Sequence, residues 1–165
     1  MRVESFPPIA APDAEILILG SMPGAASLAA GQYYAHPRNA FWPVMGALFG
    51  AGPELAYAQR VRALIAARVA VWDVLSACVR PGSLDADITE EAPNDFAAFF
   101  AAHPRIRRIG LNGGKAAAVF RRHGAAHMPA GAGMAVLPST SPAHAALSLQ
   151  AKQAAWRAGL LRLNS

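Results

Sequence analysis

The chain has 165 residues, of which 54% are hydrophobic and 15% charged; this length suits one domain with a full core, and the composition excludes an intrinsically disordered chain. Fifteen Lys and Arg against ten Asp and Glu leave a formal charge of +5, which suits a polyanionic partner without naming it. The lone cysteine, Cys78, excludes a disulfide framework, a thiolate zinc site and a four-cysteine iron–sulfur cluster within one chain, and fits a reducing compartment.

The first twenty residues are interrupted by Glu4, Pro7, Pro8, Pro12, Asp13 and Glu15, so no signal-type apolar stretch is present and a cytoplasmic location is expected. The longest uncharged stretches, 16–36 and 128–151, are broken by Gly and Pro, and no membrane segment is expected. The apolar run at 15–20 predicts a first strand, followed by the loop Ser21-Met-Pro-Gly24 and a helix from 39 or 40 to 48. Leu55, Ala58, Val61, Leu64 and Ile65 recur at three- and four-residue steps, predicting a helix over 54–68 that covers a sheet.

A second strand is expected over 69–75. Residues 80–92, with Pro81, Gly82 and little periodicity, read as a long surface loop leading to a helix over 94–102. A third strand over 105–111 turns through Asn112-Gly-Gly114 into a helix over 115–123. A fourth strand over 134–137 ends in Pro138-Ser-Thr-Ser-Pro142, and a last helix covers 148–160. Four strands joined through helices, with no repeat or linker, predict one α/β domain over 1–165: a three-layer α/β/α sandwich around a mostly parallel four-stranded sheet.

Four loops, at 20–24, 73–83, 112–115 and 139–144, concentrate special residues at the predicted carboxyl ends of the strands, where a parallel sheet brings them together. Gly20-Ser-Met-Pro-Gly24 followed by Tyr34-Ala-His-Pro-Arg-Asn-Ala-Phe-Trp42 resembles the first motif of the uracil-DNA glycosylase superfamily, especially its mismatch-specific and hypoxanthine-DNA glycosylase branches. Leu137-Pro-Ser-Thr-Ser-Pro142 is similar to the second motif. Trp72-Asp-Val-Leu75, Arg80-Pro-Gly-Ser-Leu84 and Leu111-Asn-Gly-Gly-Lys115 stand between them in the expected order, so the resemblance spans 16–147. It implies a monomeric, monofunctional DNA glycosylase of base excision repair. Such an enzyme flips a deaminated base out of DNA, hypoxanthine favoured and uracil as the strongest alternative, and hydrolyses its N-glycosidic bond without metal or cofactor. A non-catalytic module of the same fold that binds nucleotides or damaged DNA is the reading from another class; a nucleoside hydrolase is a third.

The departures from the family pattern direct attention to particular side chains. Where many superfamily members carry an Asp or Asn that handles the hydrolytic water, this chain has Met22, which then only lines the base site. The hypoxanthine branch uses instead the asparagine before the aromatic pair, matching Asn39; the bland alternative is that Asn39 caps the helix that follows. The histidine that donates to the leaving base is replaced by Ser139, so Ser139, Thr140 or a backbone N–H would supply part of that role.

Asn112 resembles the base-reading asparagine, its carboxamide matching the N1–H and O6 of hypoxanthine or the N3–H and O4 of uracil, and reads equally as a turn residue. Tyr34 or Phe41 would stack on the extruded base, although Phe41 equally suits the core. Pro23, Gly24, Ser141 and Pro142 would pinch the DNA backbone, with Arg80, Ser83 and Lys115 as phosphate contacts and His144 against DNA. For Arg80 and Lys115 a solvated surface charge is the alternative, and for His144 a surface histidine. No large apolar wedge precedes Leu147 in the second-motif loop.

Overall fold

The computed structural model describes residues 2–161. In chain order the elements are β1 (Arg2–Glu4), β2 (Ile16–Gly20), α1 (Ala25–Ala30), α2 (Phe41–Phe49), α3 (Tyr57–Ala66), β3 (Val69–Asp73), β4 (Leu75–Val79), β5 (Thr89–Pro93), α4 (Phe96–Ala102), β6 (Arg108–Asn112), α5 (Gly114–His123), β7 (Gly133–Leu137) and α6 (Leu149–Leu161). Four of the strands form a sheet in the order β3-β2-β6-β7, and every pairing in it is parallel.

The two faces of this sheet are read off the alternation along β2. Leu17 and Leu19 point to one side, where Phe96, Phe99 and Phe100 of α4 and Ala116, Ala117, Val119 and Phe120 of α5 complete a core. Ile16 and Ile18 point to the other, against Phe41, Trp42 and Met45 of α2, Leu64 of α3, and Trp156 and Leu160 of α6. Both faces are therefore covered, which explains why β2 and β3 are continuous apolar runs rather than alternating ones. The exposed edge of β3 is blunted by an antiparallel bridge between Val71 and Ile9.

A second, antiparallel sheet in the order β1-β4-β5 corrects the expected arrangement. The run expected as one strand over 69–75 is two strands. After Gly20 pairs with Asp73, the N–H groups of Val74 and Leu75 donate to the carbonyls of Gly20 and Ser21 at 2.8 and 3.2 Å, and β4 leaves to join the other sheet. Within the expected loop over 80–92 lies most of β5, whose Thr-Glu-Glu-Ala-Pro sequence has no apolar alternation and whose pairing to β4 is irregular. The short helix α1, inside the first-motif loop, was also not expected; the hydroxyl of Ser83 accepts from its Ala25 N–H at 2.8 Å.

Parallel strands put all four carboxyl ends on one edge. The register sets Gly20 beside Asp73 and Asn112 beside Leu137. From that edge the chain enters α5 directly through Gly113, whose φ of 92° favours glycine and where an added Cβ would lie 3.1 Å from the Ser139 Cβ. Without a side chain there, the second-motif loop can pack on the start of α5.

Candidate active site at the strand ends

The strand ends enclose a cavity of about 490 Å³, lined by residues of both motifs, a size typical of small-molecule sites. Met22, Pro23, Gly24, Tyr34 and Asn39 line it from the first motif, Ser139, Ser141, Pro142 and His144 from the second, and Ser83 and Asn112 from the segments between. Arg80, Phe41 and Lys115 do not.

Each of those three has a structural reason. Arg80 is 3% exposed and donates to the carbonyl of Pro23, holding the first-motif loop from beneath rather than presenting a cation to solvent. Phe41 is fully buried under Tyr34, whose ring stacks on it at 3.9 Å and 17°, so Tyr34, and not Phe41, meets the cavity, with Tyr33 beside it. Lys115 pairs with Glu91. The other lysine, Lys152, is buried and donates to the His144 carbonyl at 2.6 Å; burial depresses its pKa.

Tyr34 is held in an unusual backbone conformation, φ 54°, which disfavours a bulky residue. Stacking on Phe41 and a hydrogen bond from Asn112 Nδ2 at 3.3 Å keep it there. Burial, and next the negative charge of Asp73, push its phenol far above the usual tyrosine range, so it remains a neutral O–H.

Asn39 sits just ahead of α2, and its Oδ1 accepts from the Phe41 N–H at 2.9 Å. It therefore makes the cap-like contact expected of asparagine before a helix and also lines the cavity. Its place is fixed from two directions: its own N–H donates to His36 at 3.0 Å, and the next residue, Ala40, donates to the Thr140 carbonyl at 2.9 Å. The first motif is thereby tied to the second.

Asn112 is more constrained than its sequence position implies. Its Oδ1 accepts from the Thr140 N–H at 3.0 Å, and its Nδ2 donates to Thr140 Oγ1 at 3.0 Å and to Tyr34. Both amide hydrogens are engaged within the protein, and the residue is 8% exposed. Ser139 Oγ accepts from the Ser141 N–H, and Ser141 Oγ from the Ala143 N–H, at 3.1 and 3.2 Å; both hydroxyls keep a proton to donate. These turns shape the second-motif loop.

Two acidic residues complete the cavity and were not singled out from the sequence. Asp85, in a turn of the 80–92 segment, accepts from the Ser21 hydroxyl at 2.7 Å. Asp73, at the end of β3, is 2% exposed, and its Oδ2 has no hydrogen-bond partner. Burial, then the charge of Asp85, raise its pKa to about 7, against the opposing pull of Arg80. An acidic residue ending an apolar strand that meets a glycine-rich loop was the available signal.

Comparison with known proteins bears on the family and the fold. A family model described as the uracil DNA glycosylase superfamily matches residues 7–161. A protein named hypoxanthine DNA glycosylase from Methanosarcina barkeri is 37% identical over 116 residues, covering 70% of this chain and 73% of the relative. A protein of the same name from Methanosarcina acetivorans is 38% identical over 117 residues, covering 70% and 74%. The solution NMR structure of a provisionally assigned uracil DNA glycosylase from Methanosarcina acetivorans superposes with a TM-score of 0.77 at 34% identity, over 96% of this chain and 98% of that one. Fold, motif order and these likenesses agree: the chain belongs to the uracil DNA glycosylase superfamily.

Proposed function

We propose that the protein is a monofunctional DNA glycosylase that flips a deaminated base, hypoxanthine in preference to uracil, into the strand-end cavity and hydrolyses its N-glycosidic bond. The observation that carries this reading is the convergence of both motifs on one cavity with Asn39 at its wall. The identity to proteins named hypoxanthine DNA glycosylase supports the choice of base.

The reaction breaks the bond between C1′ and the base, with the electron pair leaving on the base, while water adds its hydroxyl to C1′. Positive charge builds on the sugar and negative charge on the base. Asn39 has a lone pair on Oδ1 beyond the one that meets Phe41, together with its amide hydrogens, so its role is to orient the water rather than to take a proton strongly. The base meets the face of Tyr34, and the Ser139 hydroxyl donates from the second motif. Pro23, Gly24, Ser141 and Pro142 give rigid turns against the DNA backbone, with Ser83 and His144 at the rim as phosphate donors and the net charge of +5 supporting the approach. Neither lysine lines the cavity, and the amines are engaged by Glu91 and by the His144 carbonyl, which supports hydrolysis by water over a Schiff-base lyase step. Among the described residues no helix is long and apolar enough to cross a membrane; the enzyme acts as a cytoplasmic monomer.

Single-turnover incubation with end-labelled duplexes carrying one hypoxanthine or one uracil, followed by alkaline cleavage of abasic sites, tests the reading. The wild-type protein is expected to cleave the hypoxanthine duplex faster. Asn39→Ala is expected to lose about 10²–10³-fold in rate, the scale of removing a group that aligns the reaction, while binding DNA as well as wild type. Asn39→Asp keeps the contact to the Phe41 N–H and separates catalysis from capping. A protein that binds such duplexes and leaves every base in place would instead be a non-catalytic module.

A further inference from the structure

Two polar side chains reach the cavity from the ends of β6 and β3, Asn112 and Asp73, and their hydrogen bonding differs. Asn112 has spent its amide on Thr140 and Tyr34. Asp73 is buried at 2% exposure and lines the same cavity, and its Oδ2, which is shielded from solvent, is met by no donor of the protein. An unpartnered buried carboxyl is costly, and such groups are kept where something else comes to bind them. Gly20, the register partner of Asp73, has no side chain, and the Asp73 carboxyl and the Tyr34 hydroxyl close in over it: a Cβ there would lie 2.7 Å from Asp73 Oδ1 and 2.5 Å from Tyr34 Oη. The carboxyl and the phenol thus converge on one spot that only glycine leaves free.

We propose that Asp73, as a neutral carboxylic acid, is the group that holds the hydrogen-bonding edge of the extruded base. Its O–H donates to the carbonyl oxygen at O6 of hypoxanthine or O4 of uracil, and its C=O accepts from the adjacent ring N–H. The inference rests on the glycosylase reading and deepens it by naming the residue that binds the base. When the bond to C1′ breaks, its electron pair spreads over the base and onto that carbonyl oxygen. An O–H donor there strengthens as the charge grows, whereas a carboxylate would repel it. Water supplies hydroxyl to C1′ and a proton to the base, so the acid is unchanged at the end of the turnover. Asp73 thereby adds a second donor to the one that Ser139 supplies from the second motif.

The surroundings favour the neutral form. Burial raises the carboxyl pKa to about 7, Asp85 adds to the rise, and Arg80 opposes it; Tyr34 and Tyr33, the titrating phenols within its electrostatic reach, stay neutral and add no charge. The base-binding form is present below about pH 7 and lost as pH rises through it.

The test is the single-turnover assay on the hypoxanthine duplex between about pH 5 and pH 9, with wild type, Asp73→Asn and Asp73→Ala, and with thermal unfolding and DNA affinity measured on each. The wild-type rate is expected to fall about tenfold per pH unit above about pH 7. Asp73→Asn keeps a donor and an acceptor but cannot ionise, so it should stay within about tenfold of wild type at low pH and show no such fall. Asp73→Ala should lose about 10²–10³-fold with DNA affinity intact. Wild-type rates in Asp73→Ala would overturn the proposal and leave the glycosylase reading standing. An Asp73→Asn variant that is folded yet as slow as Asp73→Ala, or that keeps the alkaline fall, would also overturn it. Absence of cleavage by wild type on every duplex would remove the glycosylase reading and this proposal with it.

Discussion

Two strand ends flank β2 at the mouth of the cavity, and they have opposite hydrogen-bonding economies. At the end of β6, Asn112 is matched on every side chain atom that can bond, tying β6 to the second-motif loop and to Tyr34. At the end of β3, Asp73 keeps an oxygen unmatched in a buried position. A satisfied polar network makes one wall rigid, and an unsatisfied group makes the other receptive. The same fold edge thus divides between a wall that holds shape and a wall that can accept a ligand.

Closing the receptive wall should give the largest effect. Gly20→Ala places a methyl group within 2.5 Å of Tyr34 Oη and 2.7 Å of Asp73 Oδ1, so one or both must move. Displacement of site groups by an ångström typically costs about 100-fold in rate. The single-turnover rate on the hypoxanthine duplex is expected to fall by about that factor while DNA affinity is kept; an unchanged rate would mean that this corner of the cavity is not where the base sits.

The next effect is on stability and has a pH signature. Burial pushes the Asp73 carboxyl up to about 7 in the folded protein from its ordinary 3.8, so folding favours its protonated form. Stability from this group is complete below about pH 4 and is lost as pH rises to about 7. Asp73→Asn removes the ionisation, and its advantage over wild type in urea unfolding should open from nothing near pH 4 to a few kcal/mol near pH 8. Parallel curves at the two pH values would show that the carboxyl is solvated and the wall is not receptive in the sense argued.

On the rigid wall the sign reverses and pH drops out. Asn112→Ala leaves the Thr140 N–H without its acceptor and Thr140 Oγ1 without its donor in a buried setting. It should cost about 1–3 kcal/mol at any pH between these limits, the penalty for stranding buried polar groups. A neutral result would make Asn112 available to a ligand after all and erase the contrast between the walls.

How far these features could be read from the residues follows the same physics. Strands β2 and β3 were recognisable because burial on both faces makes their segments continuously apolar, as at Ile16, Leu17, Ile18 and Leu19. The antiparallel sheet was not: β5 is Thr-Glu-Glu-Ala-Pro, half on the surface, and its place depends on pairing with β4 rather than on local pattern. The boundary between β3 and β4 falls at Val74, where hydrophobicity does not change and only the bonds to Gly20 and Ser21 mark the turn. In the site, the glycine and proline turns and Asn39 could be identified from motif spacing. The commitment of Asn112 and the isolation of Asp73 could not, because each depends on which partner the fold brings within hydrogen-bond distance.

Lys115 gives the smallest expected effect and tests the boundary of the site. By sequence it stands one residue into a helix that leaves a strand end, a position suited to a phosphate contact. In the fold it pairs with Glu91, and the two side chains are about one quarter exposed. A pair of that kind contributes about 0.2–1 kcal/mol, so Lys115→Ala should lower stability within that range. Each cation that contacts phosphate adds about 0.9 to the slope of log affinity against log salt. Because Lys115 is spent on Glu91 and lies off the cavity lining, the salt slope for duplex binding should be the same in wild type and variant. A slope reduced by about one unit would show instead that DNA draws Lys115 away from Glu91, extending the receptive side of the molecule from Asp73 past the rigid wall to the start of α5.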